Sequence, residues 1–423
     1  MKKTVKISEP NLVYCAPNNE LTLKWGVYAI PKMWREPSGD LIIRVNGEQD
    51  DGFTRQLVPN LYFCSKDNGD TWENVVDGEQ KYDLTALMGI DSPYYKCKNG
   101  DVIGFSYKKE ALPISGVPFI KEYVTPNNGS VIRVYKYSDI PDECKGIKFI
   151  RVTNGEKIVK DIDFDFPERE VAVNAKGNDD GEFLPVPEYV QSNIFWSPYM
   201  SCLKEDRDGN LIATSHGQHP EVFDRQCEEL YLVESKDSGK TWSKKSLIAS
   251  DKEKYPFGYA GDGAEHSITQ TSNGDLLCVM RMELSTREEY FCDALLTRSK
   301  DGGKTWSEPV SVADSSVTPH VVALNDGVVI LIYGRPGVHF KVSEDNGETW
   351  SDAYTIIGKT LSEELNLGKS CFECKYMDMD SYSNTFVEKI SDDTILVLYN
   401  DMKYKGDDGQ EHKATLVRKI TVK

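Results

Sequence analysis

One eight-residue pattern, Ser-x-Asp-x-Gly-x-Thr-Trp, constrains this chain more than any other feature, because it occurs four times. The copies are SKDNGDTW (65–72), SKDSGKTW (235–242), SKDGGKTW (299–306) and SEDNGETW (343–350). Recurrence of this kind marks a chain built from repeated supersecondary units, each unable to bury its apolar face alone. The residue types explain the device. The Asp can accept hydrogen bonds from turn amides, the Gly supplies a positive φ, and the Trp is a large apolar wedge. The motif therefore reads as a hairpin staple with no part in chemistry.

A second recurring feature is a polar turn followed by an apolar strand. It appears as PSGDLIIRV (37–45), KNGDVIGFSY (98–107), RDGNLIATSH (207–216), SNGDLLCVMR (272–281), NDGVVILIYG (325–334) and, without Gly, SDDTILVLYN (391–400). Short alternating strands with turn punctuation and no helical period predict an all-β chain. Six such units predict a six-bladed β-propeller, whose strand edges are short and protected. Segments 4–14 and 412–422 each supply one further strand, and pairing them would close the ring. Residues 108–195 lack the motif and are rich in Pro, Asp, Glu and Asn, so they are expected to be an irregular region, an insertion in the second blade with degenerate outer strands. The whole of 1–423 reads as one propeller, and the acidic run 177–181 as a solvated turn in preference to a calcium loop.

Charge narrows the partners. With 50 basic and 68 acidic residues the formal charge is -18, which repels nucleic acid and anionic membranes at long range. A few convergent arginines could still bind a small anion. The N-terminus has lysines but no apolar h-region, and no window approaches a membrane span, so a cytoplasmic chain is expected. Ten cysteines lie scattered without the spacing of a disulfide scaffold, and Cys371 and Cys374 have no second pair or histidine at zinc-ligand spacing. Neither a metal nor a cofactor is expected.

In a propeller, equivalent strand ends converge on one axial face, so register predicts the site. Seven residues past each turn Gly stand Asn46, Tyr107, His216, Arg281 and Gly334, with Arg335 next. The starts of the first strands fall at Ala29, Tyr199, Glu265, 318–320 and Tyr382. Polar and aromatic groups converging on one axis suit a glycan pocket, so the expected partner is a small carbohydrate or oligosaccharide. The histidines His216, His219, His266, His320 and His339 either cluster as metal ligands or acid/base groups, or line that pocket; the second reading is preferred.

The four motif copies are Asp-boxes, and together with Glu265 and Arg281 in one blade they resemble the sialidase (neuraminidase) superfamily over most of the chain outside 108–195. That resemblance implies a six-bladed propeller and site roles. Arg281 and Arg335 match two of three substrate-binding arginines, Tyr382 matches the nucleophile, and Glu265 the carboxylate that polarises it. Asp50 or Asp51 stands where the acid/base aspartate belongs, and Tyr199, His216 and His320 are expected to line the substrate pocket. A tyrosine needs such a base because its ordinary pKa is near 10, and sialidases depart from the two-carboxylate rule of retaining glycosidases. One position departs from the family: where its first arginine stands in an Arg-Ile-Pro run, this chain has Ala29-Ile30-Pro31. The expected function is a retaining, sialidase-like exo-glycoside hydrolase acting on a terminal acidic sugar. The alternatives are a non-catalytic carbohydrate-binding propeller, or a hydrolase or lyase for another glycan.

Overall fold

The computed structural model describes residues 3–22, 24, 26–49, 55–75, 94–106, 117–124, 131–142, 147–162, 164–165, 170–175, 203–218, 228–250, 265–285, 290–315, 317–368 and 385–423. It is a nearly all-β six-bladed propeller, as the repeats predict. Blade 1 is Lys32–Arg35, Leu41–Val45, Leu61–Ser65 and Glu73–Asn74; blade 2 is Tyr94–Lys96, Val102–Ser106, Ile147–Thr153 and Glu156–Ile162. Blade 3 runs Lys204–Glu205, Leu211–Gln218, Glu228–Ser235 and Trp242–Ser250, with Phe164–Asp165 added in parallel at its outer edge. Blades 4 and 5 are His266–Gln270 through Val310–Ala313 and His320–Ala323 through Tyr354–Ile357, each an antiparallel meander. Blade 6 consists of Phe386–Lys389, Thr394–Lys405 and Glu411–Val422. Its outer strand is supplied by the N-terminal segments Val5–Ile7 and Asn11–Cys15, both antiparallel to Glu411–Val422. Beginning and end of the chain thus share one sheet, and the edge that each would otherwise expose is paired.

Region 108–195 differs from expectation in one respect. The outer strands of blade 2 are regular, a seven-residue hairpin across Asn154-Gly155, both with positive φ. Asn-Gly is the preferred sequence of such a two-residue turn. The insertion is a separate three-stranded sheet of Lys121–Val124, Val131–Lys136 and Glu170–Ala175. It enters between the second and third strands of blade 2 and is completed by a strand that follows the fourth.

The core is a ring of seams. Separate apolar clusters join blade 6 to 5, 5 to 4, 4 to 3, 3 to 2 and 1 to 6. A smaller one, Trp34, Ile42, Tyr62 and Cys64 with Tyr94, lies where blade 1 meets blade 2. Successive residues of each second strand face opposite neighbours: Leu276, Cys278 and Met280 pack toward blade 3, whereas Leu277 and Val279 pack toward blade 5.

The repeated motif is a staple for these seams as well as for its own turn. In the copy at 235–242, Asp237 Oδ1 accepts from the backbone N–H groups of Lys240 (3.1 Å) and Thr241 (2.9 Å), Oδ2 accepts from the Thr241 hydroxyl (2.7 Å), and Ser235 Oγ accepts from Gly239 N (2.7 Å). Asp67, Asp301 and Asp345 make the same Thr contacts. Each Trp then enters the seam with the preceding blade: Trp72 against blade 6, Trp242 against blade 2, Trp306 against blade 3, Trp350 against blade 4. The motif glycines lie against the same neighbours. A Cβ on Gly69, Gly239, Gly303 or Gly347 would strike Leu396, Phe149, Leu232 or Leu277.

These hydrogen bonds favour the ionised carboxylate, so Asp67 and Asp237 are lowered from 3.8 to about 2, the Thr hydroxyl being the largest cause, and Asp301 and Asp345 are lowered too. A lowered folded-state pKa contributes stability that is present above the unfolded value and lost as pH falls through the folded one. Acid titration is therefore expected to weaken the fold progressively from about pH 4 toward pH 2. An Asp237→Asn variant should show a shallower loss over that window in circular dichroism. Solvent exposure keeps each contribution small, and an identical acid profile would show that Asp237 contributes nothing.

Candidate functional site

Among the described residues, polar contacts starting from Glu265 and Arg281 link blades 4, 5 and 6. Glu265 immediately precedes the innermost strand of blade 4 and Arg281 lies on the second, with Arg281 N donating to Glu265 O at 2.9 Å. Their side chains meet in an ion pair, Nη1 to Oε2 at 3.0 Å, with only 12% and 13% of the side chains exposed. Alternation from Leu277 and Val279 turns Arg281 toward blade 5. There Thr318 N donates to the same Glu265 Oε2 at 2.7 Å. Thr318 has a φ of 46°, a left-handed conformation unusual for a β-branched residue, and this conformation presents its amide to the carboxylate.

From Thr318 the polar contacts continue into blade 6. Thr385 N donates to Thr318 Oγ1 (2.8 Å) and Thr385 Oγ1 donates to Thr318 O (3.0 Å). Glu265, Thr318 and Thr385 thus form one chain of hydrogen bonds across three blades. Thr385 was not anticipated from the sequence. It could have been found by register, since it immediately precedes the first strand of blade 6 as Glu265 does in blade 4.

Arg335 occupies the turn between the second and third strands of blade 5, with a φ of 27°. His320 begins the first strand of that blade, and the structure gives it a different environment from the pocket wall expected. It is 0% exposed, its Nε2 lies 2.7 Å from Thr385 O, and its ring packs on Phe386 at 5.8 Å. It belongs to the seam between blades 5 and 6. His266 is likewise buried, 2.8 Å from Thr214 Oγ1, and His339 lies between Pro336 O, Lys359 O and Thr355 Oγ1, where burial lowers its pKa. Among the described residues no group of three or more His, Cys, Asp or Glu could hold a metal ion.

His216 lies on the second strand of blade 3, opposite Leu230. Tyr382, Asp50, Asp51, Tyr199 and the Cys371/Cys374 pair lie outside the described residues. The described residues on either side of Asp50 and Asp51 in sequence pair as a short ladder, Glu48–Gln49 with Arg55–Gln56.

Ala29 sits in a turn before blade 1, between Tyr28 (φ 54°) and Ile30 (φ 51°), and the first strand starts only at Lys32. The alternating register of that strand therefore does not extend to position 29. Ala29 is 0% exposed. Its turn is pinned by Lys413 of blade 6, whose Nζ donates to Lys24 O (2.7 Å) and Val27 O (3.1 Å) and whose pKa burial pushes down to about 8. Arg35, at the far end of the first strand from Ala29, is bound by Glu388, Gly39 O and Asn68.

A six-bladed ring stapled by four Asp-boxes, with a buried Glu–Arg pair at its axial end, defines a sialidase-like propeller. Residues 169–400 match the BNR repeat-like domain, and the chain belongs to that family. A sialidase of Bacteroides fragilis (strain YCH46) is 28% identical over 321 residues, 70% of this chain and 53% of that protein. A sialidase of Clostridium perfringens is 28% identical over 140 residues, 31% of this chain and 36% of its own length. The chain spans about half the length, or less, of these curated relatives. Among solved structures, a protein of unknown function from Dyadobacter fermentans DSM 18053 superposes over 99% of both chains with a TM-score of 0.55 at 17% identity.

Proposed function

We propose that this protein is a retaining exo-glycoside hydrolase that removes a terminal acidic sugar from oligosaccharides. The observation that carries the reading is the Glu265–Arg281 pair, a carboxylate and a guanidinium buried together at the axial end with Arg335 one blade on. In this reading Arg281 and Arg335 bind the acidic substituent, since a guanidinium presents paired donors to a carboxylate. Glu265 takes the Tyr382 proton as the phenolic oxygen attacks the anomeric carbon. Asp50 or Asp51 protonates the departing oxygen, then deprotonates the water that releases the sugar. In the same reading Tyr199 and His216 would line the pocket. Its test is a panel of 4-nitrophenyl and methylumbelliferyl glycosides that includes sialosides and uronides. Turnover of an acidic glycoside is expected, with Glu265→Gln lowering kcat about 10²–10⁴-fold and Tyr382→Phe at least as much. Near-wild-type turnover by Tyr382→Phe would remove the tyrosine mechanism.

A second reading, a carbohydrate-binding propeller without turnover, is favoured by the sealed Ala29 where the family has an arginine. Glycan-array binding with no turnover of any glycoside would select it.

A further inference from the structure

We propose that Arg44 is a ligand-binding cation of blade 1, receiving a negatively charged substituent at the axial end of the seam between blades 1 and 2. Its identification of that substituent with an acidic sugar rests on the glycosidase reading above; its assignment as an anion site does not.

Arg44 is on the second strand of blade 1, paired with Lys32 and Tyr62. It is 8% exposed, and its Nε is sealed from solvent without a hydrogen-bond partner. Among the described residues no carboxylate pairs with it. A donor sealed without an acceptor is costly, because its lost hydration is not replaced. Lys32 stands directly opposite on the neighbouring strand, and two cations placed so repel. An anion reaching the Arg44 head would supply the missing acceptor and offset the positive charge of the pair of strands.

Register says where that anion would come from. Ile42 faces the apolar cluster shared with Tyr94 of blade 2, and alternation puts Arg44 on the same face. Counted from the turn glycines Gly39 and Gly274, Arg44 corresponds to Val279 and Asn46 to Arg281. Arg44 is therefore two residues, ~6.6 Å, below the level of the Arg281 site. The cluster below it is apolar, so a long side chain extends its head upward toward the polar end. Ala29, with no charge of its own, precedes the same blade. Blade 1 thus carries its cation on the second strand, at a position that blade 4 fills with valine.

The test uses the full chain and the variants Arg44→Met and Arg44→Lys. Calorimetric titration with N-acetylneuraminic acid, glucuronic acid and the methyl ester of glucuronic acid should show Arg44→Met weakening the acids on the order of 10- to 100-fold, with the ester within about twofold of wild type. Arg44→Lys should retain part of the acid affinity, because it keeps the charge but not the fork. The Arg44→Met protein should melt no lower than wild type, since it lacks a buried charge. Unchanged acid affinity in Arg44→Met, or equal losses for acid and ester, would overturn the proposal. If wild type binds none of these sugars, the acidic-sugar reading fails and thermal melting with sodium sulfate decides the anion site. A rise in wild type that Arg44→Met lacks supports it; no rise in wild type, or equal rises in both, overturns it.

Discussion

Trp242→Ala is expected to lower stability by about 3–5 kcal/mol, the range for removing a fully buried aromatic. Trp242 is 2% exposed and forms a three-ring contact across the seam between blades 2 and 3, with centroids 5.2 Å from Phe105 and 6.0 Å from Phe149. Phe105 and Phe149 also pack on each other, with centroids 5.8 Å apart, so removing the indole leaves this three-ring cluster incomplete. Gly239→Ala should also be damaging: its Cβ would lie 2.3 Å from Phe149 Cζ, and the position has a φ of 87°. Urea denaturation of the two variants beside Trp350→Ala checks this. Trp350 is only partly buried, so its loss should cost less. Equal effects from Trp242 and Trp350 would mean that the staple acts through its turn alone, and not through the seam.

Arg281→Ala is expected to cost about 3–5 kcal/mol and to abolish binding of an acidic ligand. The Glu265 carboxylate would keep its Thr318 amide but lose the Arg281 guanidinium while remaining buried. The double variant Glu265→Gln/Arg281→Met separates stability from function. Removing both charges should recover most of the lost stability, because a buried pair contributes little beyond its own desolvation. Ligand binding should stay lost. Chemical denaturation together with ligand titration checks both, and Arg281→Ala with wild-type stability would show that the pair is solvated in solution.

These two predictions draw on different kinds of information. The Trp242 staple was legible in the sequence because its parts lie within eight residues, and the turn chemistry of Ser, Asp, Gly and Thr is local. The six polar turns placed six second strands by the same logic, and counting from their glycines set Arg281 on, and Arg335 just past, the second strands of neighbouring blades. The regular hairpin of blade 2 also had a local signal, Asn154-Gly155, that was passed over inside a segment rich in turn-forming residues. The Glu265–Arg281 bond was half legible. Spacing put both residues in one blade, but the second donor to Glu265, Thr318 N, belongs to the next blade and depends on an unusual φ.

By itself, then, the sequence determined the repeat, the strands and the closure of the ring, since all of these follow from short-range spacing and alternation. Tertiary structure alone decided which neighbour each side chain meets. His320 shares the strand-end pattern of a pocket residue, yet the ring closes Phe386 over it and gives its Nε2 to Thr385 O. Arg44 reads as one polar residue in an apolar strand, and only the seam shows it buried opposite Lys32, with no carboxylate paired to it among the described residues. The physical reason is distance along the chain. Seam partners such as Thr318 and Thr385 are 67 residues apart, and Arg35 and Glu388 are 353 apart. No local propensity connects them until the blades have closed.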